Sequence, residues 1–91
     1  MSDVRIKHVH FASHFLASFA KLPAAVQRLA TQKDAWFRAN PLDPRLHTHK
    51  LKGELAGAWS YSVNHRYRVL FRFLPEGEVL YYDIGTHDVY R

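Results

Sequence analysis

Near its start the chain alternates apolar and charged positions. Val4 and Ile6 face one way and Arg5 and Lys7 the other, which predicts a half-buried strand over Val4 to His10. The period then lengthens. Phe15, Phe19 and Leu22 recur at helical spacing behind Ser13, a residue able to cap a short helix. Pro23 stands where a first-turn proline would begin a second helix. Along that helix Val26, Leu29, Ala30, Lys33, Trp36 and Phe37 keep the helical period, and Lys33 alone in this stripe is polar. Asn40-Pro41 ends it, because proline drives its predecessor out of the helical region. Pro41 to His49 reads as a loop, and Gly53 and Gly57 frame a second turn region.

From Trp59 the period returns to two. Residues 59 to 63 alternate large and small side chains, Tyr67 to Leu74 is a near-continuous strand, and Val79 to Ile84 is another. Asn64-His65-Arg66 connects the first pair and Pro75-Glu76-Gly77-Glu78 the second. The order β-α-α-β-β-β predicts an α+β fold, with two N-terminal helices packed on one face of a small, mainly antiparallel four-stranded sheet. Alternation within the middle strand assigns Tyr67, Val69, Phe71 and Phe73 to the core face and Arg66, Arg68, Leu70 and Arg72 to the other. Those arginines would stand about 7 Å apart, on the scale of phosphates along a nucleic-acid strand. A solvated outer face of a one-sided sheet would carry the same residues.

Length and composition narrow the choice of function. A chain of 91 residues is expected to form one domain, residues 1–91. Without cysteine it has no disulfide and no thiolate metal site. The stretch MSDVRIKHVHFASHFL lacks the long apolar run of a signal peptide, and no segment approaches a membrane span, so a cytoplasmic protein with no membrane partner is expected. The formal charge is +5, and residues 45 to 72 hold six of the thirteen Lys and Arg against one acid, Glu54. A polyanion or an acidic protein is the partner such a distribution favours.

Candidate chemistry gathers in LHTHKLKGELAGAW, residues 46 to 59. If extended, His47 and His49 share one face and Lys50 and Lys52 another. His47-x-His49 and His8-x-His10 each supply two metal ligands, too few without a third group, and no carboxylate cluster accompanies them. No Gly-x-Ser-x-Gly motif supplies a serine nucleophile, and the glycines at 53, 57, 77 and 85 fit no phosphate-cradling loop. In the tail, Gly85 to Arg91, His87 and Tyr90 fall where the chain leaves the sheet beside the strand of Arg68. Such a pair suits acid–base work or base stacking, and equally an ordinary terminus.

The element order, with Lys21-Leu22-Pro23, HKLKG (49 to 53), Trp59-Ser60, Tyr67-Arg68-Val69-Leu70-Phe71 and DIGTHDVY (83 to 90), resembles the RelE/ParE superfamily of toxins from bacterial type II toxin–antitoxin systems. The resemblance spans nearly the whole chain and is strongest from residue 46 onward. It implies a ribosome-dependent mRNA endoribonuclease of the RelE, YoeB and YafQ branch, contacting 16S ribosomal RNA and neutralised by a cognate antitoxin. The ParE-like branch, which poisons DNA gyrase by contact alone, is the alternative, as is a weakened relative that only binds its antitoxin. Position by position, the resemblance makes Arg68 the arginine that offsets charge on the scissile phosphate. It makes His87 the general acid for the 5′-oxygen and His49 the base for the 2′-hydroxyl, with His47 and His65 as other choices. Lys50 and Lys52 would hold phosphates, and Arg66 and Tyr90 would contact backbone and base. That chemistry needs no metal or other cofactor: a base takes the 2′-proton, the oxygen attacks phosphorus, and an acid protonates the leaving oxygen. It needs RNA, since DNA has no 2′-hydroxyl. The chain departs from the family where RelE has its strand lysines, here Trp59 and Tyr61, and where YafQ-like members have a histidine and an aspartate, near Ser62 and Arg66.

Overall fold

The computed structural model describes residues 5–86 and residue 89. Among these residues five strands and two α-helices follow one another as β1 (His8–Phe11), α1 (Ser13–Ala20), α2 (Ala24–Ala39), β2 (His49–Lys50), β3 (Trp59–Ser62), β4 (Arg68–Leu74) and β5 (Glu78–Gly85). The strands form one sheet in the order β1-β5-β4-β3-β2. β1 lies parallel to β5, and every other pair is antiparallel. The α+β architecture and the element order are those expected. The expected four strands become five, because His49 and Lys50 leave the loop for two residues and pair with Ser60 and Trp59. The first strand begins later than the pattern suggested, and Val4 lies outside the described residues.

The turns follow from local chemistry. Ser13 is the first residue of α1 rather than its cap, and Ala12 precedes it in extended backbone. α2 starts directly after Pro23 and stops at Asn40, whose extended backbone is what the following proline demands. Between β3 and β4, the Asn64 side-chain oxygen accepts from the amides of Arg66 and Tyr67, each at 2.8 Å. This is the asparagine-mediated turn that a short hairpin needs.

The helices cover one face of the sheet. Phe37 of α2, fully buried, stacks on Tyr61 at 4.7 Å between ring centroids and meets Phe71 edge-on at 4.8 Å. Phe15 of α1 packs on Tyr81 at 5.3 Å. Such aromatic packing adds to the stabilisation that burial alone provides. The two buried phenols are not orphaned: Tyr61 and Tyr81 hydroxyls lie 2.9 Å apart, and Tyr81 donates to Asp34 at 2.7 Å. Burial pushes both hydroxyls well above the usual phenol range.

The two faces of β4 differ less than alternation implied. Val69 and Phe71 enter the core as expected, but Leu70 on the opposite face is also buried, at 8% exposure. Phe73, assigned to the core, is 39% exposed near the strand's end. A β-bulge explains the neighbouring strand: Leu70 opposes Asp83 and Phe71 opposes Tyr81, so Tyr82 has no partner on β4. The buried residues of β5 are accordingly Val79, Tyr81 and Ile84, a pattern that slips by one after Tyr81.

Candidate functional site

At the end of the sheet where β3 turns into β4, a groove of about 390 Å³ is lined by Lys33, Arg45, His47, His49, Ser62, Asn64, His65 and Arg68, with Val63 at its floor. Three histidines and three cations converge from four different stretches of chain. Arg68, His49 and the Lys33–Arg45 pair are each held by local contacts.

Arg68 opens β4 opposite Ser62 on β3 and Gly85 on β5. Its guanidinium donates to the carbonyl of Asn64 and, at 3.2 Å, to that of Tyr67, so the hairpin's own backbone holds it at the groove. His49 reaches the groove from β2. The His49 Nδ1 lies 2.9 Å from the His47 carbonyl oxygen. A carbonyl can only accept, so Nδ1 carries the proton and the neutral ring keeps its Nε2 lone pair free. His47 sits in left-handed backbone (φ 52°) at the end of the short turn Pro44–Leu46, which bends the chain toward β2.

Lys33 and Arg45 complete the positive wall. Both lie over the ring of Trp36, the Lys33 ammonium at 3.9 Å and the Arg45 guanidinium at 3.6 Å from its centroid. Cation–π attraction thus gathers two charges where Coulomb repulsion would part them. Arg45 is also held by Asp43, with Nη2 and Oδ2 2.8 Å apart. The Arg45 side chain and then its amide, both donating to Asp43, hold that carboxyl down at about 2. Lys33 was visible in the sequence only as the single polar member of an apolar helical stripe, and that irregularity was the signal for it. Nothing in the sequence marked Arg45 beyond its charge.

The remaining predicted residues divide. Lys50 pairs with Trp59, on the face opposite the one His49 shares with Ser60, and does not line the groove. Lys52 lies beyond β2 at the start of the turn Gly53–Leu55 and is exposed. Arg66 is exposed on the hairpin turn rather than in line with the strand. The expected row of arginines is therefore broken: Arg66 is off the strand, Arg68 folds back onto the hairpin, and Arg72 bonds the Tyr82 hydroxyl. His87 and Tyr90 lie outside the described residues. β5 ends at Gly85 opposite Arg68, so the chain leaves the sheet beside that arginine.

A small two-layer α+β protein with a basic, histidine-lined groove at one end of its sheet is the class that this geometry defines. No family model matches the chain, and no curated protein matches it in sequence. Solved structures do. A YoeB/ParE toxin from Agrobacterium tumefaciens superimposes with a TM-score of 0.75 at 15% identity, covering 88% of this chain and 98% of its own. A RelBE toxin–antitoxin complex from Mycobacterium tuberculosis gives 0.70 at 26% identity, covering 88% and 96%. The DinJ–YafQ toxin–antitoxin complex of E. coli gives 0.67 at 15% identity, covering 89% and 92%. The fold is that of the RelE/ParE superfamily of toxins, as the sequence blocks implied. Among the described residues no helix is long and apolar enough to cross a membrane.

Proposed function

We propose that the chain is the toxin of a type II toxin–antitoxin system and cuts mRNA on the ribosome, without a metal. The observation that carries this reading is the pairing in one groove of His49, its Nε2 left open by the Nδ1 contact to His47, with the Arg68 guanidinium. A neutral imidazole with a free nitrogen is a base for a 2′-hydroxyl, and a fixed guanidinium offsets charge growing on the attacked phosphorus. The Nδ1 contact is what favours His49 over His47 and His65 as that base. Lys33 and Arg45 join Arg68 as phosphate contacts. Lys50, Lys52 and Arg66 serve at longer range, on the RNA or ribosomal RNA approaching the groove. His87 is the proposed acid and Tyr90 the proposed stacking residue, both carried by the resemblance.

An antitoxin partner has its own support. Between the helices and the sheet an apolar cavity of about 170 Å³ opens beside Phe11 and Leu16, which are 43% and 53% exposed. Large apolar side chains left in water beside a cavity fit the apolar face of a partner's amphipathic helix.

The test is cleavage of mRNA on translating ribosomes by the purified chain, mapped at several A-site codons. Cleavage is expected from the wild type and strongly reduced cleavage from Arg68→Ala. No cleavage by the wild type at any codon would overturn the reading, and inhibition of gyrase supercoiling surviving Arg68→Ala would replace it with the ParE-like one.

A further inference from the structure

A second cleft, of about 390 Å³, lies on the outer face of the sheet further along β4. Its apolar lining includes Leu55 and the buried Leu70, and its polar lining is His14, Arg72, Tyr82 and Asp83. Two consecutive residues of a regular strand face opposite ways. Tyr82 and Asp83 nevertheless line the same cleft, because the bulge between Leu70 and Phe71 leaves Tyr82 without a partner. Bulges of this kind re-aim side chains, commonly beside functional sites.

We propose that this cleft takes a guanine base of the RNA held in the neighbouring groove; the proposal rests on the ribonuclease reading and adds a specificity to it. The apolar lining of Leu55 and Leu70 suits the face of a base, and the Tyr82 ring provides a stacking partner. Arg72 lies beside that ring, its guanidinium carbon 5.5 Å from the centroid, and supplies a cation for the phosphate of the same nucleotide. Gly57 leaves it the room, since a Cβ there would stand 2.6 Å from Arg72 Nη1. The choice of base comes from Asp83. A carboxylate offers two acceptors side by side, and guanine alone presents two adjacent donors, N1–H and N2–H, on its Watson–Crick edge. Adenine and cytosine pair a donor with an acceptor there, and uracil has one donor between two acceptors. The Asp83 carboxylate is oriented for this by the Ile84 amide, which donates to Oδ1 at 2.8 Å. His14 Nε2 lies 3.2 Å from Oδ2 on a side chain 74% exposed, so it can swing aside for the base.

The experiment is binding of 5′-GMP, AMP, CMP and UMP to the intact wild-type chain, by calorimetry and by amide shifts at Leu70 and Tyr82. GMP is expected to bind about tenfold more tightly than the others, the size of one good paired contact. Asp83→Asn keeps the acceptor for the Ile84 amide and the shape of the side chain, and should abolish the advantage of GMP. Arg72→Gln should weaken all four nucleotides alike. Equal binding of the four, no binding, or a GMP preference that persists in Asp83→Asn would overturn the proposal. Mononucleotide binding requires no cleavage, so the two readings fail separately. A chain that prefers GMP but never cuts mRNA would sink the ribonuclease alone. One that cuts mRNA while binding all four alike would sink the guanine cleft alone.

Discussion

The two faces of the sheet handle polar groups in opposite ways. On the helix side, the Tyr61 and Tyr81 hydroxyls are sealed among Phe15, Phe37 and Phe71, and each is tied into a chain ending on Asp34. On the other side, Arg68 and His49 are held by backbone carbonyls that occupy one part of the group and leave the rest open to the groove. Full satisfaction gives rigidity and no reactivity. Partial satisfaction gives orientation with something left to donate or accept.

Substitutions on the two faces should separate stability from activity. The largest effect belongs to the buried face: Phe37→Ala should cost about 3–5 kcal/mol in urea unfolding, the usual range for removing a buried aromatic ring. Next comes the groove. Arg68→Ala should lower ribosome-dependent cleavage by about 10²–10³-fold, as losing one charge-stabilising donor does, with a thermal midpoint close to the wild type. A large drop in that midpoint would show that the arginine belongs to the hairpin's structure and would collapse the contrast between the faces.

Removing the proposed base should cost about 10²-fold or more in single-turnover cleavage for His49→Ala, whereas His47→Ala, which keeps its backbone carbonyl, and His65→Ala should cost only a few-fold. If His47→Ala proves the more damaging, the base has been misassigned. A smaller effect is expected back in the core. Tyr81→Phe removes the donor to Asp34 Oδ1, with Arg38 still donating to Oδ2 at 2.9 Å, and should lose about 1–3 kcal/mol. The phenols also set a pH dependence. Both are pushed up in the folded chain, so their contribution is fully present below the unfolded phenol value, about 10, and fades as pH rises beyond it. Unfolding curves at pH 9 and pH 11 should therefore differ, and Tyr61→Phe should narrow the gap.

The smallest effect is expected at Asp43→Ala, which frees Arg45 to move over Trp36. It should weaken RNA binding by a few-fold and leave the melting midpoint nearly unchanged, because an exposed pair contributes little to stability. The carboxyl is held at about 2, below its unfolded value. Whatever it contributes is present above pH 4 and lost as pH falls toward 2.

Much of this architecture can be read from the chain because it rests on local rules. The apolar stripe of α2, the proline that ends it and the asparagine turn before β4 depend on residues within a few positions of one another. Arg68 and His49 could be named as candidates, Arg68 from its place on the strand and both from the sequence resemblance. The two-residue β2 is too short for any period to show. The parallel pairing of β1 with β5 joins residues some 70 positions apart, as His8 with Glu78, and no local pattern reports it. The bulge was hidden for a related reason. Leu70, Tyr82 and Asp83 read as ordinary alternating strand residues until the register is known.

By itself, then, the sequence determined the two helices and the four longer strands, their order, the helix-covered core and the basic, histidine-rich character of the second half. Local backbone preference and the burial period decide those things. Which cations share a groove was decided by the tertiary structure alone. Trp36 on α2 gathers Lys33 and Arg45, and β2 places His49 and Lys50 on opposite faces. The bulge brings Tyr82 beside Asp83. Each of these depends on strand register and on contacts between distant segments, which only the folded chain brings into being.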